Sequence, residues 1–252
     1  MRAIVEPNPF RLDFDGRVEE FARHRRVHPE VLQQLLESGF VGPETRVLDV
    51  GCGTGNYAAA LTAATSCRIS GIDPSQRMLD WASVAAPWDS LEQSTGECLP
   101  FGDDAFDVVM STDVIHHIED RDAYFREAAR VLRPGGHLVT VTDSHDTIPR
   151  RRPLSSHFPE TVTIELQRYP PVPQLLDEMA RAGFVEPRVA EVSRDYDLDD
   201  IQAYRDRAFS SLLLIEEEAF RRGIDRLEAD LARGPIPCVS LYTMIWGTAP
   251  DG

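Results

Sequence analysis

Val47-Leu48-Asp49-Val50-Gly51-Cys52-Gly53-Thr54-Gly55-Asn56-Tyr57 reads as a short buried strand, a glycine-rich turn and the start of a helix. Val47, Leu48 and Val50 suit a strand covered on both faces, as in a parallel sheet. Gly51, Gly53 and Gly55 let the backbone turn tightly and let a ligand approach it. The unpaired N–H groups of the following helix suit an anionic group on that ligand. The spacing is not the dinucleotide fingerprint G-x-G-x-x-G, because Asn56 stands where its third glycine would fall. A phosphate loop ending in Gly-Lys-Ser/Thr is absent as well.

Downstream, Cys67 to Ile72 reads as a second strand that ends in Asp73. An acidic residue about 20 positions beyond the glycine loop can accept both hydroxyls of a ribose. Such a residue also serves as a plain helix N-cap, a role open to Ser75 too. With the glycine loop and Asp73 in register, a nucleoside ligand is the better explanation.

Five blocks then resemble the class I S-adenosylmethionine-dependent methyltransferases, in the family's order: V-L-D-V-G-C-G-T-G (47–55), G-I-D-P-S-Q-R-M-L (71–79), G-E-C-L-P-F (96–101), F-D-V-V-M-S-T-D-V-I-H-H-I (106–118) and A-R-V-L-R-P-G-G-H-L (129–138). The motif set is that of the small-molecule, UbiE-like group. The resemblance implies S-adenosylmethionine as cofactor and S-adenosylhomocysteine as product. It does not choose the acceptor, since one fold serves many chemistries.

The chain has 252 residues, a net charge of −16 and a pI near 4.8. That charge opposes nucleic-acid binding. No stretch has the length and apolarity of a membrane span, and Met1 to Asp15 lacks the apolar run of a leader. The plain expectation is a cytoplasmic protein. Cys52, Cys67, Cys98 and Cys238 have no paired spacing, so neither a disulfide framework nor a zinc site is expected.

Strands are expected near 45–50, 67–72, 90–94, 106–111, 136–142, 184–192 and 238–247, with helices near 29–38, 55–64, 75–85, 121–132 and from Val172 to Gly183. Alternation of this kind implies an α/β fold with parallel strands. The resemblance implies a Rossmann-like, mostly parallel seven-stranded sheet with helices on both faces and an antiparallel last strand. Four segments follow: an N-terminal cap with its helix (1–40), the cofactor-binding core (41–194), a helical lid inserted between strands six and seven (195–237), and the last strand with the C-terminus (238–252). Residues 143–171 carry few regular patterns. The lid reads as two helices, the first opened by Asp199 and Asp200 and the second by Glu216 to Glu218 ahead of Arg221, Arg222 and Arg226, the order favoured by the helix dipole.

Ligands in open α/β sheets bind beyond the carboxyl ends of the strands. Under the resemblance, Asp49, Gly51, Gly53 and Gly55 meet the methionine part of the cofactor, Asp73 the ribose, and Met78 the adenine. Thr95, Gly96, Glu97 and Cys98 form the third contact, Thr95 standing where many family members have Asp. Ser111 and Asp113 follow at the fourth strand. Phe21 and Arg25 lie in a segment similar to the family's Tyr-Ala-Arg-x-Arg-Pro-x-Tyr-Pro, with Phe21, Arg26 and His28 replacing Tyr, Pro and Tyr. Arg25 is placed to pair with the cofactor's carboxylate. His116, His117 and Asp143 are the candidates for proton transfer, the histidines because neutral imidazole accepts a proton near pH 7. A base is needed only where the acceptor must lose a proton. Arg150-Arg151-Arg152 reads either as a solvated run or as a counter-charge for an anionic acceptor.

The expected activity is methyl transfer to oxygen or nitrogen of a small metabolite or natural product. C-methylation of an isoprenoid or quinone, and cofactor binding without transfer, are the alternatives. No metal and no nucleic-acid or membrane partner is expected, and a homodimer is compatible with the reading. Tyr204, Phe209 and Leu213 are the lid side chains expected to reach the acceptor.

Overall fold

Residues alternate between the two faces of each central strand, and that alternation builds the layers. The computed structural model describes Phe10 and residues 15–250; the rest of the N-terminal segment and of the C-terminus lies outside the described residues. The strands are β1 (Arg46–Val50), β2 (Arg68–Asp73), β3 (Trp88–Gln93), β4 (Phe106–Thr112), β5 (Leu132–Thr142), β6 (Val185–Leu198) and β7 (Ile236–Thr248). They form one seven-stranded sheet in the order β3-β2-β1-β4-β5-β7-β6. β1 to β5 pair in parallel, and β7 runs antiparallel to both β5 and β6.

Helices α1 (Val18–His24) and α2 (Pro29–Glu37) precede the sheet, and α3 (Asn56–Thr65), α4 (Gln76–Ala82) and α5 (Arg121–Val131) connect its parallel strands. Val47, Val108 and Val139 face a core completed by Val31 and Leu35 of α2 and Ala58 and Leu61 of α3. Leu48, Val109 and Leu138 face the opposite core, with Phe125 and Ala128 of α5. Leu175 and Met179 of a later helix complete that second core. Both faces of the central strands are therefore covered, as the unbroken apolar runs of β1 and β4 require, while most of the edge strand β6 is exposed.

Some boundaries differ from expectation. α4 stops at Ala82 because the Trp88 indole N–H donates to the Ala82 carbonyl at 2.8 Å, and β3 starts at that same tryptophan. β5 begins at Leu132, four residues early, with an irregular register against β4 between Phe106 and Val108 that accommodates Pro134 and Gly135. β6 and β7 run on until Leu198 pairs with Ile236, so the sheet takes in residues 195–198 that the sequence reading gave to the lid.

The largest difference lies in 143–171. This stretch holds a 3₁₀ turn (Ile148–Arg150), α6 (Leu154–His157) and α7 (Glu160–Arg168), ahead of α8 (Val172–Arg181). The buried residues of α7 are Thr161, Glu165 and Arg168, so its inward stripe is polar and gives no hydrophobic period. In the insertion, the first expected helix is reduced to α9 (Gln202–Arg205) and a 3₁₀ turn (Ser210–Leu213), while α10 (Glu217–Leu231) is present in full.

These segments share one core. Leu154 and Phe158 pack with Ile201, Tyr204, Leu212, Ala219 and Leu227. A Cβ at Gly223, in the middle of α10, would stand 2.1 Å from the Phe158 ring, so only glycine lets α10 lie this close. The cap over the sheet thus draws on residues 148–168 as well as on the 199–235 tip of the β6–β7 hairpin. Among the described residues, no helix is long and apolar enough to cross a membrane.

Candidate active site

The loop after β1 is pinned before any ligand is considered. The N–H groups of Gly51 and Cys52 donate to the Ile72 carbonyl at 2.8 and 2.9 Å, tying the loop to the end of β2. Gly51 has φ +69°, and a Cβ there would lie 2.4 Å from a Val114 methyl. Gly53 also has positive φ, and a Cβ there would meet nothing within 4 Å, so its backbone faces open space.

Asp73 is buried, and its two oxygens accept from the amides of Gly53 and Ser75, each at 2.9 Å. Ser75 in turn caps α4 by accepting from the Met78 amide at 3.1 Å. Burial pushes the Asp73 carboxyl up, opposed by those two amides. Asp49 is pushed up to about 8, first by burial and then by Asp73.

A cavity of about 260 Å³ opens beyond these strand ends. Asp49, Gly51, Gly53 and Asp73 form its floor, Met78 one side, and Phe21, Arg25 and Arg26 the N-terminal side. The N-terminal segment is held at both ends: Asp15 bonds Ser75 and Arg77, and His24 Nε2 lies 2.6 Å from Asp206 of the cap, whose carbonyl accepts from Arg17 at 2.7 Å.

A second cavity of about 80 Å³ adjoins the first and shares Arg25, Asp113, Ser210 and Tyr242 with it. Asp113 sits at the junction with φ +58°, and its Oδ2 accepts from Arg25 at 2.9 Å and from the Tyr242 hydroxyl at 3.0 Å. Asp143, Arg151, Glu165, Tyr169, Tyr204 and Phe209 line the second cavity. Arg151 is buried and binds Asp143 Oδ2 at 2.6 Å and the Glu165 carboxylate. Among the described residues Asp143 Oδ1 is buried with no partner, and burial raises this carboxyl to about 7 against the pull of Arg151.

His116 and His117 line the first cavity. The His116 ring stacks on Tyr169 at 4.0 Å and lies 3.9 Å from His117, and both of its buried nitrogens lack partners. Burial lowers His117 to about 4, with Arg168 and Arg25 reinforcing it, and burial holds His116 well below the usual imidazole range, with His117, Arg168 and Arg25 reinforcing it. Both rings are therefore neutral at pH 7, and both are poor bases. Asp143 is closer to the pKa that suits a general base.

The structure brings Phe21, Arg25, Asp49, Gly51, Gly53, Asp73, Met78, Asp113, His116 and His117 to one cavity. The remaining sequence candidates stand elsewhere. Gly55 adopts φ +82° at the start of α3 and packs on Ala82 and Trp88. Ser111 is fully buried between the Thr140 and Tyr124 hydroxyls, a link inside the sheet and not part of the cavity wall. Thr95 and Cys98 close a turn, Gly96 packs under Ile118 and Tyr124, and Glu97 accepts from the Glu119 amide at 3.0 Å. None of these four lines either cavity.

Of the arginine run, Arg150 pairs with Glu191 at the surface, Arg151 is the buried centre of the Asp143–Glu165 network, and Arg152 lines the second cavity. Tyr204 and Phe209 reach the second cavity and Leu213 does not. Tyr57, Ser210 and Tyr242 are wall residues that the sequence reading missed. Tyr57 adjoins the glycine loop and was open to discovery there. Tyr242 arrives only through the antiparallel register of β7, which no local pattern announces. His145 Nε2 lies 2.9 Å from the Tyr169 carbonyl, and among the described residues no group of three or more His, Cys, Asp or Glu could hold a metal.

Comparison with known proteins agrees with this geometry. A methyltransferase domain family matches residues 48–140. The methyltransferase GfsG of Streptomyces halstedii is 38% identical over 113 residues, 42% of this chain and 41% of that protein. The 27-O-demethylrifamycin SV methyltransferase of Amycolatopsis mediterranei is 37% identical over 100 residues, 37% of each. The chain thus spans about two fifths of the length of these curated relatives. A crystal structure from Anabaena variabilis, ascribed to a methyltransferase of an antibiotic biosynthesis pathway, shares the fold with a TM-score of 0.71 at 21% identity, over 89% of this chain and 98% of that one. With its glycine loop pinned to β2, its buried acid at the β2 tip and its match over the motif region, residues 48–140 belong to the methyltransferase domain family, and the sheet around them has the Rossmann-like fold of the class I S-adenosylmethionine-dependent methyltransferases.

Proposed function

We propose that the protein transfers a methyl group from S-adenosylmethionine to an oxygen or nitrogen of a small-molecule acceptor held in the second cavity. The observation that carries this is the junction: two cavities meet at Asp113, Arg25 and Tyr242, and Asp143 lines the second of them. S-adenosylmethionine, when bound, supplies an electrophilic methyl on a sulfonium. The residues of the first cavity fit that group. Gly53 leaves its backbone face open, Asp73 is fixed where ribose hydroxyls can bond it, and Asp49 and Arg25 line the cavity with a carboxyl for the amino end of the methionine part and a guanidinium for its carboxylate end.

The chain's own work is positioning and proton handling. Orientation of two reactants in adjoining cavities can supply effective molarities on the order of 10⁵ M or more. The cap and the N-terminal segment exclude water from the junction. Asp143, held by Arg151, is assigned as the group that accepts the acceptor's proton. His116 and His117, both neutral, serve as walls. The rifamycin relative is named for an O-methylation, which favours oxygen. A carbon acceptor of the quinone type is the second reading, supported by the aromatic lining from Tyr169, Tyr204 and Phe209.

Incubation with S-adenosylmethionine and a panel of hydroxylated, amino and quinol metabolites, read by S-adenosylhomocysteine release, tests the proposal. A member of the hydroxyl or amine set should turn over, and turnover of quinols alone would replace the first reading by the second. On the cofactor side, Asp73→Ala should weaken S-adenosylhomocysteine binding about tenfold to a hundredfold, the effect of losing a charge-assisted hydrogen bond of about 1.5–3 kcal/mol. Calorimetry checks this, and unchanged affinity would place the ribose elsewhere.

A further inference from the structure

The two cavities are neighbours, yet side chains between them are bonded to one another. Arg25, Asp113, Ser210 and Tyr242 line both spaces, so they form the partition. Three of them come from distant parts of the chain. Arg25 follows α1, Asp113 follows β4, and Tyr242 lies in β7. Asp113 Oδ2 accepts from Arg25 Nη1 at 2.9 Å and from the Tyr242 hydroxyl at 3.0 Å, which ties the three together. The Asp113 backbone is fixed as well. Its N–H donates to the Val141 carbonyl at 2.9 Å, and its φ of +58° is a left-handed conformation that aspartate tolerates better than most residues.

Methyl transfer cannot pass through a closed partition. The methyl carbon and the accepting atom must come within about 3–3.5 Å of each other, with nothing between them. Of the bonds that close the trio, the ion pair of Arg25 is the one open to competition. The Arg25 side chain is 34% exposed, and its guanidinium lies 5.5 Å over the Phe21 ring, which lines the first cavity beside it. A carboxylate arriving in that cavity meets the same guanidinium that Asp113 holds, and a guanidinium pairs with either.

We propose that Asp113 holds Arg25 across the junction in the ligand-free protein and yields it to the carboxylate of the bound cofactor, so that the acceptor cavity joins the cofactor cavity only once the cofactor is in place. The proposal rests on the cofactor reading of the first cavity and adds a binding order to it. The competition has a definite sign. An aspartate that merely oriented Arg25 would strengthen cofactor binding, whereas one that must release Arg25 weakens it.

The test titrates S-adenosylhomocysteine and methylthioadenosine calorimetrically into the wild type, Asp113→Asn, Arg25→Gln and the double variant. Methylthioadenosine keeps the nucleoside and the sulfur and lacks the amino-acid part. Asp113→Asn should bind S-adenosylhomocysteine at least about threefold tighter than the wild type, with methylthioadenosine unchanged. In the Arg25→Gln background that gain should vanish, since no pair remains to be parted. Asp113→Gly is the second variant, because glycine adopts φ +58° freely, and it should match Asp113→Asn. An acceptor found in the metabolite panel should bind the wild type about tenfold tighter beside S-adenosylhomocysteine than beside methylthioadenosine, a difference lost in Asp113→Gly. Equal or weaker S-adenosylhomocysteine binding in the Asp113 variants overturns the proposal and makes Asp113 a fixed positioning residue. A gain that persists without Arg25, or that methylthioadenosine shares, overturns it too, as does an acceptor that binds equally well beside either ligand. A wild type that binds neither nucleoside sinks the cofactor reading itself, an outcome distinct from these.

Discussion

Asp143→Asn should lower kcat by about 10²–10⁴-fold while leaving S-adenosylhomocysteine affinity nearly unchanged, the range expected for loss of a general base. Asn keeps the size of the side chain and can still accept a bond from Arg151, so the scaffold is spared. The pH profile identifies the base independently. Asp143 must be ionised to take a proton, and burial raises it to about 7, with Arg151 opposing and Asp113 and Glu165 assisting. The kcat/KM of the wild type should therefore climb with pH, reach half its plateau near 7 and level off above.

A histidine base would behave otherwise. His117, lowered to about 4, is already deprotonated at mild acidity, so its profile would be flat across neutrality. The same shift has a stability counterpart. The folded Asp143 holds its proton to about 7 while the unfolded chain releases it near 4, so the folded state loses stability as pH rises between those values. Asp143→Asn lacks that loss and should gain stability relative to wild type over the same window. A flat profile, together with a mild effect of Asp143→Asn, would mean catalysis by positioning alone.

Excising residues 199–235 should abolish acceptor turnover and spare cofactor binding. The cut is natural, since Leu198 and Ile236 are paired partners of an antiparallel ladder, and an Asn-Gly turn can join them. The excision removes Tyr204, Phe209, Ser210 and Ser211 from the second cavity and Asp206 from the N-terminal segment. Of the first cavity only Ser210 is lost, so S-adenosylhomocysteine should bind within about tenfold of wild type, a change near 1.4 kcal/mol. Leu154 and Phe158 become uncovered, so binding is measured at low protein concentration. A shortened protein that kept its rate and selectivity would reduce the cap to a packing element.

What could be read from the sequence follows from how local each signal is. Val47 to Tyr57, Asp73 and the alternation of strands and helices carry their meaning in adjacent residues, so the core sheet and the floor of the first cavity were legible. α10 was legible from its acidic start and its apolar stripe. α7 was not, because it turns Thr161, Glu165 and Arg168 inward. The second cavity was illegible for the same reason. Its charges come from Arg25, Asp113, Asp143, Arg151, Arg152 and Glu165, six positions that only the packing of the cap onto the sheet brings together. The arginine run illustrates the limit. Three adjacent residues look alike in sequence, yet Arg150 is half exposed to solvent while Arg151 is the buried centre of a network. Ser111 fails in the opposite sense: its place at the end of β4 suggested a ligand, and the Thr140 and Tyr124 hydroxyls take it inward.

The most direct test of the account is the stoichiometry of transfer. Purified protein is incubated with S-adenosylmethionine and a hydroxyl or amine acceptor identified in the metabolite panel, and S-adenosylhomocysteine and the mass of the acceptor are followed together. The account predicts one acceptor gaining a single CH₂ unit for each S-adenosylhomocysteine formed, with both signals lost together in Asp143→Asn. S-adenosylhomocysteine formed without a methylated acceptor, or tight cofactor binding with no transfer to any member of the hydroxyl, amine or quinol sets, would contradict it.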